Sequence, residues 1–190
     1  MPGISIKLII EDGNLPEGAN TYVDLDAANA YVASRGPAVS GLAAWTAADA
    51  ETKSAALIRA ADVLNSYHWR GLAAAPGRIM AWPRRQVNLP QSGPGGSIPP
   101  QLVAAQCELA AAILAEGDPL SPVDPRLGPI TSAKLDTLAV SYAAPASGGA
   151  GAASPAGHPA VAALLRGFLL DDPFGSGGRG GIGLTEVGRG

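Results

Sequence analysis

The stretch from Thr46 to Arg85 most constrains this chain, because it joins an amphipathic helix to a loop carrying two aromatic and basic phrases. These are Tyr67-His68-Trp69-Arg70-Gly71 and Ala81-Trp82-Pro83-Arg84. Thr46 followed three residues later by Asp49 has the form of a capping box with Asp in place of Glu, and predicts a helix start there. Leu57, Ala60, Ala61, Leu64 and Tyr67 recur at helical spacing and make one core-facing stripe. Gly71 is the expected terminator, since a residue without a β-carbon enters the left-handed region cheaply. Pro76-Gly77 prevents continuation, and Pro83 biases Trp82 toward extended backbone.

The two tryptophans have two readings. As structural anchors, together with Pro83 and Tyr22, Trp69 and Trp82 cap the helix core while Arg70 and Arg84 cover their faces. As partner anchors, the same residue types are the ones over-represented at interface hot spots. Charge bears on the choice. Six basic residues between Lys53 and Arg85 face a single acid, Asp62, a net of +5 in a chain whose total is −3. A basic patch interleaved with Tyr67, Trp69 and Trp82 suits single-stranded nucleic acid, with Arg70, Arg78, Arg84 and Arg85 on phosphates and Trp69 or Trp82 stacking on bases. An acidic chain overall makes a solvated or protein-facing basic surface the competing explanation.

At 190 residues there is enough chain for one core with appendages. Hydrophobic residues make up 47% but aromatic ones only 5%, so helices here are expected to pack closely through alanine. No apolar run is long enough to span a bilayer and no signal-peptide pattern opens the chain, which predicts a soluble protein made in the cytoplasm, without a membrane partner. The lone Cys107 lies on an apolar helical pattern and reads as a small buried hydrophobe. His68 and His158 have no metal-ligand spacing, so neither metal nor cofactor is expected.

In chain order, Ile4 to Ile10 alternates as a strand closed by Asp12-Gly13. Asp24 caps a short helix that stops at Gly36-Pro37. Beyond the 46–85 stretch, Pro99-Pro100 announces a broadly apolar helix ending at Gly117, the expected core partner of the first long helix. Ile130 to Tyr142 reads as a strand or hairpin, pairing either with the N-terminal strand or with a neighbouring subunit. The expected organisation is a helical domain over 1–143, a linker over 144–157, a helix over 158–172 and a glycine-rich tail over 173–190. The fold class is mainly α: a small helical bundle with minor β strands and an extended C-terminal arm. The carboxylates fall at turns and helix ends, where capping explains them, and the glycine runs lack phosphate-loop spacing, so no enzyme is expected.

An ordered set of phrases resembles a known family: Glu11-Asp12-Gly13, Gly18-Ala19-Asn20-Thr21-Tyr22-Val23, Trp69-Arg70-Gly71, Ala81-Trp82-Pro83-Arg84, Ile98-Pro99 and His158-Pro159-Ala160-Val161. It resembles tailed-bacteriophage proteins labelled putative DnaT-like single-stranded-DNA-binding proteins, a group also similar to head–tail connectors or adaptors. The resemblance implies a structural connector in the virion at the head–tail interface, assembled in the host cytoplasm. It further implies a homo-oligomeric, dodecameric ring that joins the portal protein to a tail or stopper component, with genomic DNA passing through the channel. The C-terminal arm suits such a role, with Ile182, Leu184 and Val187 docking on the portal or a neighbouring protomer. Arg70, Arg84 and Arg85 are the other expected partner-binding residues. The alternative function is non-sequence-specific binding of single-stranded DNA in phage replication.

Overall fold

The computed structural model of the chain describes residues 6–87, 97–117, 120, 158–170 and the backbone of 130–134 and 139–142. The linker over 144–157 and the tail over 173–190 lie outside these residues, as do Ile182, Leu184 and Val187. The described chain is mainly α-helical with minor β structure. Its helices are α1 (Leu25–Arg35), α2 (Leu42–Ala47), α3 (Ala50–Asn65), α4 (Pro100–Glu116) and α5 (Pro159–Leu164). Two short ribbons complete it, β1 (Leu72–Ala73) with β2 (Arg84–Arg85), and β3 (Ile130–Lys134) with β4 (Ala139–Tyr142). Among the described residues no helix is long and apolar enough to cross a membrane.

Helix α4 is the centre, because its small apolar residues let every other helix approach it; α1, α2, α3 and α5 all pack on it. Leu102, Ala105, Cys107, Leu109, Ala110 and Ala111 are all essentially buried. Burial pushes the Cys107 thiol up to about 12, so at neutral pH it is a packed, protonated hydrophobe. The closest approach is at Gly41, whose φ is +86° and whose hydrogen points at α4: a β-carbon there would lie 2.1 Å from the Ala111 carbonyl oxygen. Against this face α3 lays Leu57, Ala60, Ala61 and Leu64, each no more than 1% exposed. At about 25 cal/mol per Å² of apolar surface, such a seam supplies most of the stability of an alanine-rich bundle.

One polar residue sits inside it. Gln106 on α4 is fully buried, yet its Oε1 accepts from the Tyr22 backbone N–H (2.9 Å) while its Nε2 donates to Thr21 Oγ1 and to the Leu57 carbonyl (2.8 Å each). The N-terminal segment is thereby pinned to both long helices, with every hydrogen-bonding group of the amide used.

Several boundaries differ from the sequence expectation, each for a local reason. The long helix is capped by Asp49, whose Oδ1 accepts from Thr52 N–H at 2.7 Å. Thr46 instead lies within α2, donating its hydroxyl to the Leu42 carbonyl, because buried Trp45 anchors that preceding turn. The helix ends at Asn65 rather than Gly71: the Ser66 hydroxyl takes the Val63 carbonyl at 2.6 Å, and the Asn65 side chain is committed to Tyr22 and Ala81. No N-terminal strand forms among the described residues. Ile10 makes a single parallel bridge to Thr21, and Asn20 occupies the backbone of Lys7 and Ile9 with its side-chain amide. The 130–142 segment pairs with itself, as an antiparallel hairpin in the register Ala133 with Val140. Helix α5 stops after Leu164 instead of reaching Asp171. Its continuation turns through Gly167, at φ +84°, so that Leu169 bridges Trp69.

Candidate nucleic-acid interface

The two tryptophan phrases come together in space, as their shared chemistry suggests, but their faces point inward. Trp69 is 5% exposed and Trp82 2%. Their rings meet edge to face at 5.8 Å, and Trp82 meets Phe168 in the same way at 5.8 Å, an arrangement that aromatic quadrupoles favour. The Trp69 indole N–H donates to the Leu64 carbonyl at the end of α3. Pro83 is buried behind them after a cis peptide bond, and Tyr22 is buried with its hydroxyl donating to Asn65 Oδ1 at 2.7 Å. Neither ring stands open as the stacking platform expected of it: Trp82 is covered, and Trp69 keeps only a sliver of surface, at the groove described below.

The arginines divide in the same way. Arg84 makes four hydrogen bonds, all to backbone carbonyls: Nε to Arg70, the terminal nitrogens to Ala81, Trp69 and Gly71. It clamps the 69–71 segment to the 81–84 segment, and burial holds its pKa below the ordinary arginine value. Four of its five N–H donors are thus engaged inside the fold, which leaves one for the phosphate or partner contact expected of it. Arg78 is likewise committed, donating to the carbonyls of Leu15 and Pro16 and pairing at 3.2 Å with fully buried Glu11. Glu11 balances this by accepting from the N–H groups of Gly13 and Leu15.

Arg70 and Arg85 remain. Both are exposed. Arg70 is oriented by one bond, Nε to the Leu169 carbonyl at 2.9 Å, and its terminal nitrogens have no partner among the described residues; nor does Arg85. Gly71 joins the backbone of Arg70 to the ribbon that holds Arg85. The backbone before it bonds to the 168–170 segment, Arg70 N–H to Phe168 and Leu170 N–H to His68, whereas the backbone after it bonds to β2. Switching partners across one residue needs the φ of +75° seen there, and a β-carbon would sit 2.3 Å from the Arg85 carbonyl oxygen.

Beside this ribbon lies a groove of about 400 Å³. Its lining combines Tyr67 and Arg84 with the small residues Ala73, Ala75 and Gly77 and the apolar side chains of Ile79 and Leu170. Ile79 is 80% exposed and Leu170 64%. The Tyr67 hydroxyl is buried without a hydrogen-bond partner among the described residues, and burial raises its pKa well above the ordinary phenol value. Sequence reasoning missed the groove, the exposed Ile79 and the isolated bridge of Leu169 to Trp69. An isoleucine in the Pro76-Gly77-Arg78 loop was the available signal for the second of these. Among the described residues there is no cluster of side chains able to hold a metal ion.

Neither a curated protein nor a solved structure matches the chain. A family model described as "Putative DnaT-like ssDNA binding protein" matches residues 6–190. That finding corrects the expectation of a head–tail connector, a portal-binding dodecameric ring: the matched family is named for single-stranded-DNA binding, the alternative reading, and nothing in the comparisons points to a connector. Spanning nearly its whole length, the match shows that the chain belongs to the DnaT-like single-stranded-DNA-binding family.

Proposed function

We propose that the protein binds single-stranded DNA without sequence specificity, through the β1–β2 ribbon and the residues leading into it, with Arg70 and Arg85 as the contacts. The observation that carries this reading is the division among the arginines. Arg78 and Arg84 are largely committed to the fold, while Arg70, just ahead of Gly71 and β1, and Arg85, on β2, stand exposed with donors to spare. Guanidinium groups so placed can take successive phosphates of a flexible strand. Membership of a family named for this activity supports the same reading. The chain's net charge of −3 opposes a polyanion at long range, so binding rests on this local cationic strip rather than on the field of the whole molecule.

Each phosphate neutralised on a single strand contributes about −0.7 to the slope of log affinity against log salt. Anisotropy titrations of a labelled oligo(dT) across a sodium chloride series therefore test the proposal. The Arg70→Ala/Arg85→Ala double variant is expected to melt as the native chain does and to make the slope shallower by about 1.4. No binding by the native chain at low salt, or an unchanged slope in the double variant, would refute the assignment.

A further inference from the structure

We propose that the groove beside the ribbon receives one unpaired base of the bound strand, an inference that rests on the single-stranded-DNA reading. Three features support it independently of Arg70 and Arg85. The first is shape. A space of about 400 Å³ lies within the range of small-ligand sites, and its small residues, Ala73, Ala75 and Gly77, leave it unfilled. Ile79 and Leu170 stand largely exposed among its lining residues, which is the apolar surface a flat ring would cover.

The second is charge. Arg84 bonds only to neutral carbonyl oxygens, so its positive charge is not cancelled by a carboxylate, whereas that of Arg78 is offset by Glu11. The groove wall at Arg84 is thus cationic in a setting that suits the carbonyl oxygens, ring nitrogens and π-face of a base. The third is the Tyr67 hydroxyl, in a residue 9% exposed that lines the groove and finds no partner among the described residues. A small rotation of the Tyr67 ring toward the groove would bring this hydroxyl to the acceptors of a base edge. A base still paired in a duplex cannot enter such a groove, so this insertion would make the protein prefer single strands where phosphate contacts alone would not.

The test compares oligo(dT) with an abasic strand of equal length at one salt concentration, by anisotropy, using the full chain. The native protein should bind the base-bearing strand about tenfold more tightly, the scale of one base contact. Ala75→Trp, which fills the groove, should bring oligo(dT) affinity down to the abasic value while leaving abasic affinity unchanged. Ile79→Ala, at a position too exposed to disturb folding, should lower only the oligo(dT) affinity, and keeps the test valid if the tryptophan variant misfolds. Equal affinity of the native chain for the two strands would overturn the base groove and leave the phosphate reading standing. Undiminished discrimination in the folded variants would overturn it too. Failure to bind either strand would instead refute the single-stranded-DNA reading itself.

Discussion

Replacing Arg84 separates a structural arginine from a ligand-binding one. In the fold its guanidinium ties together the carbonyls of Trp69, Arg70, Gly71 and Ala81, at 2.7 to 3.3 Å. Hydrogen bonds with a charged partner contribute about 1.5–3 kcal/mol each when well buried, but this side chain is partly solvated, and water can replace it at some of the carbonyls. Arg84→Ala should then cost about 2–4 kcal/mol in total. For a chain of this size each kcal/mol lowers Tm by about 2–4 °C, so a fall of about 4–16 °C is expected in a calorimetric or circular-dichroism melt. Arg84→Lys should recover little, because an ammonium retains the charge but cannot fan four donors across two strands. The contrasting variant, Arg85→Ala, should leave Tm within about 1 °C and weaken oligo(dT) binding. If Arg84→Ala melted like the native chain while abolishing DNA binding, the clamp would be refuted and Arg84 would be the contact residue.

Two other perturbations follow from the same structure. Gln106→Leu keeps the volume but leaves the buried Tyr22 N–H without its acceptor, and should cost about 2–4 kcal/mol in urea unfolding, with the native slope retained. Asp49 has its pKa lowered from 3.8 by the bonds from Thr52, so its contribution to stability is present above the unfolded value and lost as pH falls below it. The Tm difference between the native chain and Asp49→Ala should accordingly narrow as pH falls from 5 to about 2.5, and a constant gap would contradict the cap.

The sequence was informative wherever one residue's chemistry decides the local outcome. Asp24 before an apolar pattern, Gly36-Pro37 after it, and Pro99-Pro100 through Gly117 marked α1 and α4 nearly to the residue. The stripe of α3 was equally readable, since spacing alone selects Leu57, Ala60, Ala61 and Leu64. Competition among neighbours was not. Thr46 and Asp49 both qualify as caps, and only the burial of Trp45 decides between them. The site suffered most, because composition and charge run cannot tell an arginine that serves carbonyls from one that serves solvent. Arg84 and Arg85 are adjacent in sequence, yet the alternation of a strand sends their side chains to opposite duties. The bridge from Trp69 to Leu169 left no local trace at all, being a pairing of segments a hundred residues apart.

That bridge has a consequence for how the protein is made. Trp82 is sealed by Phe168, and Arg70 is oriented by Leu169, so the aromatic cluster lacks one wall until the chain has been synthesised almost to residue 170. At about 5–20 residues per second, roughly 4 to 17 s separate the appearance of Trp82 from that of Phe168. During this interval the side of Trp82 that Phe168 will cover has no partner from the C-terminal segment. The bridge also means that the cationic ribbon acquires its final geometry only as translation nears its end.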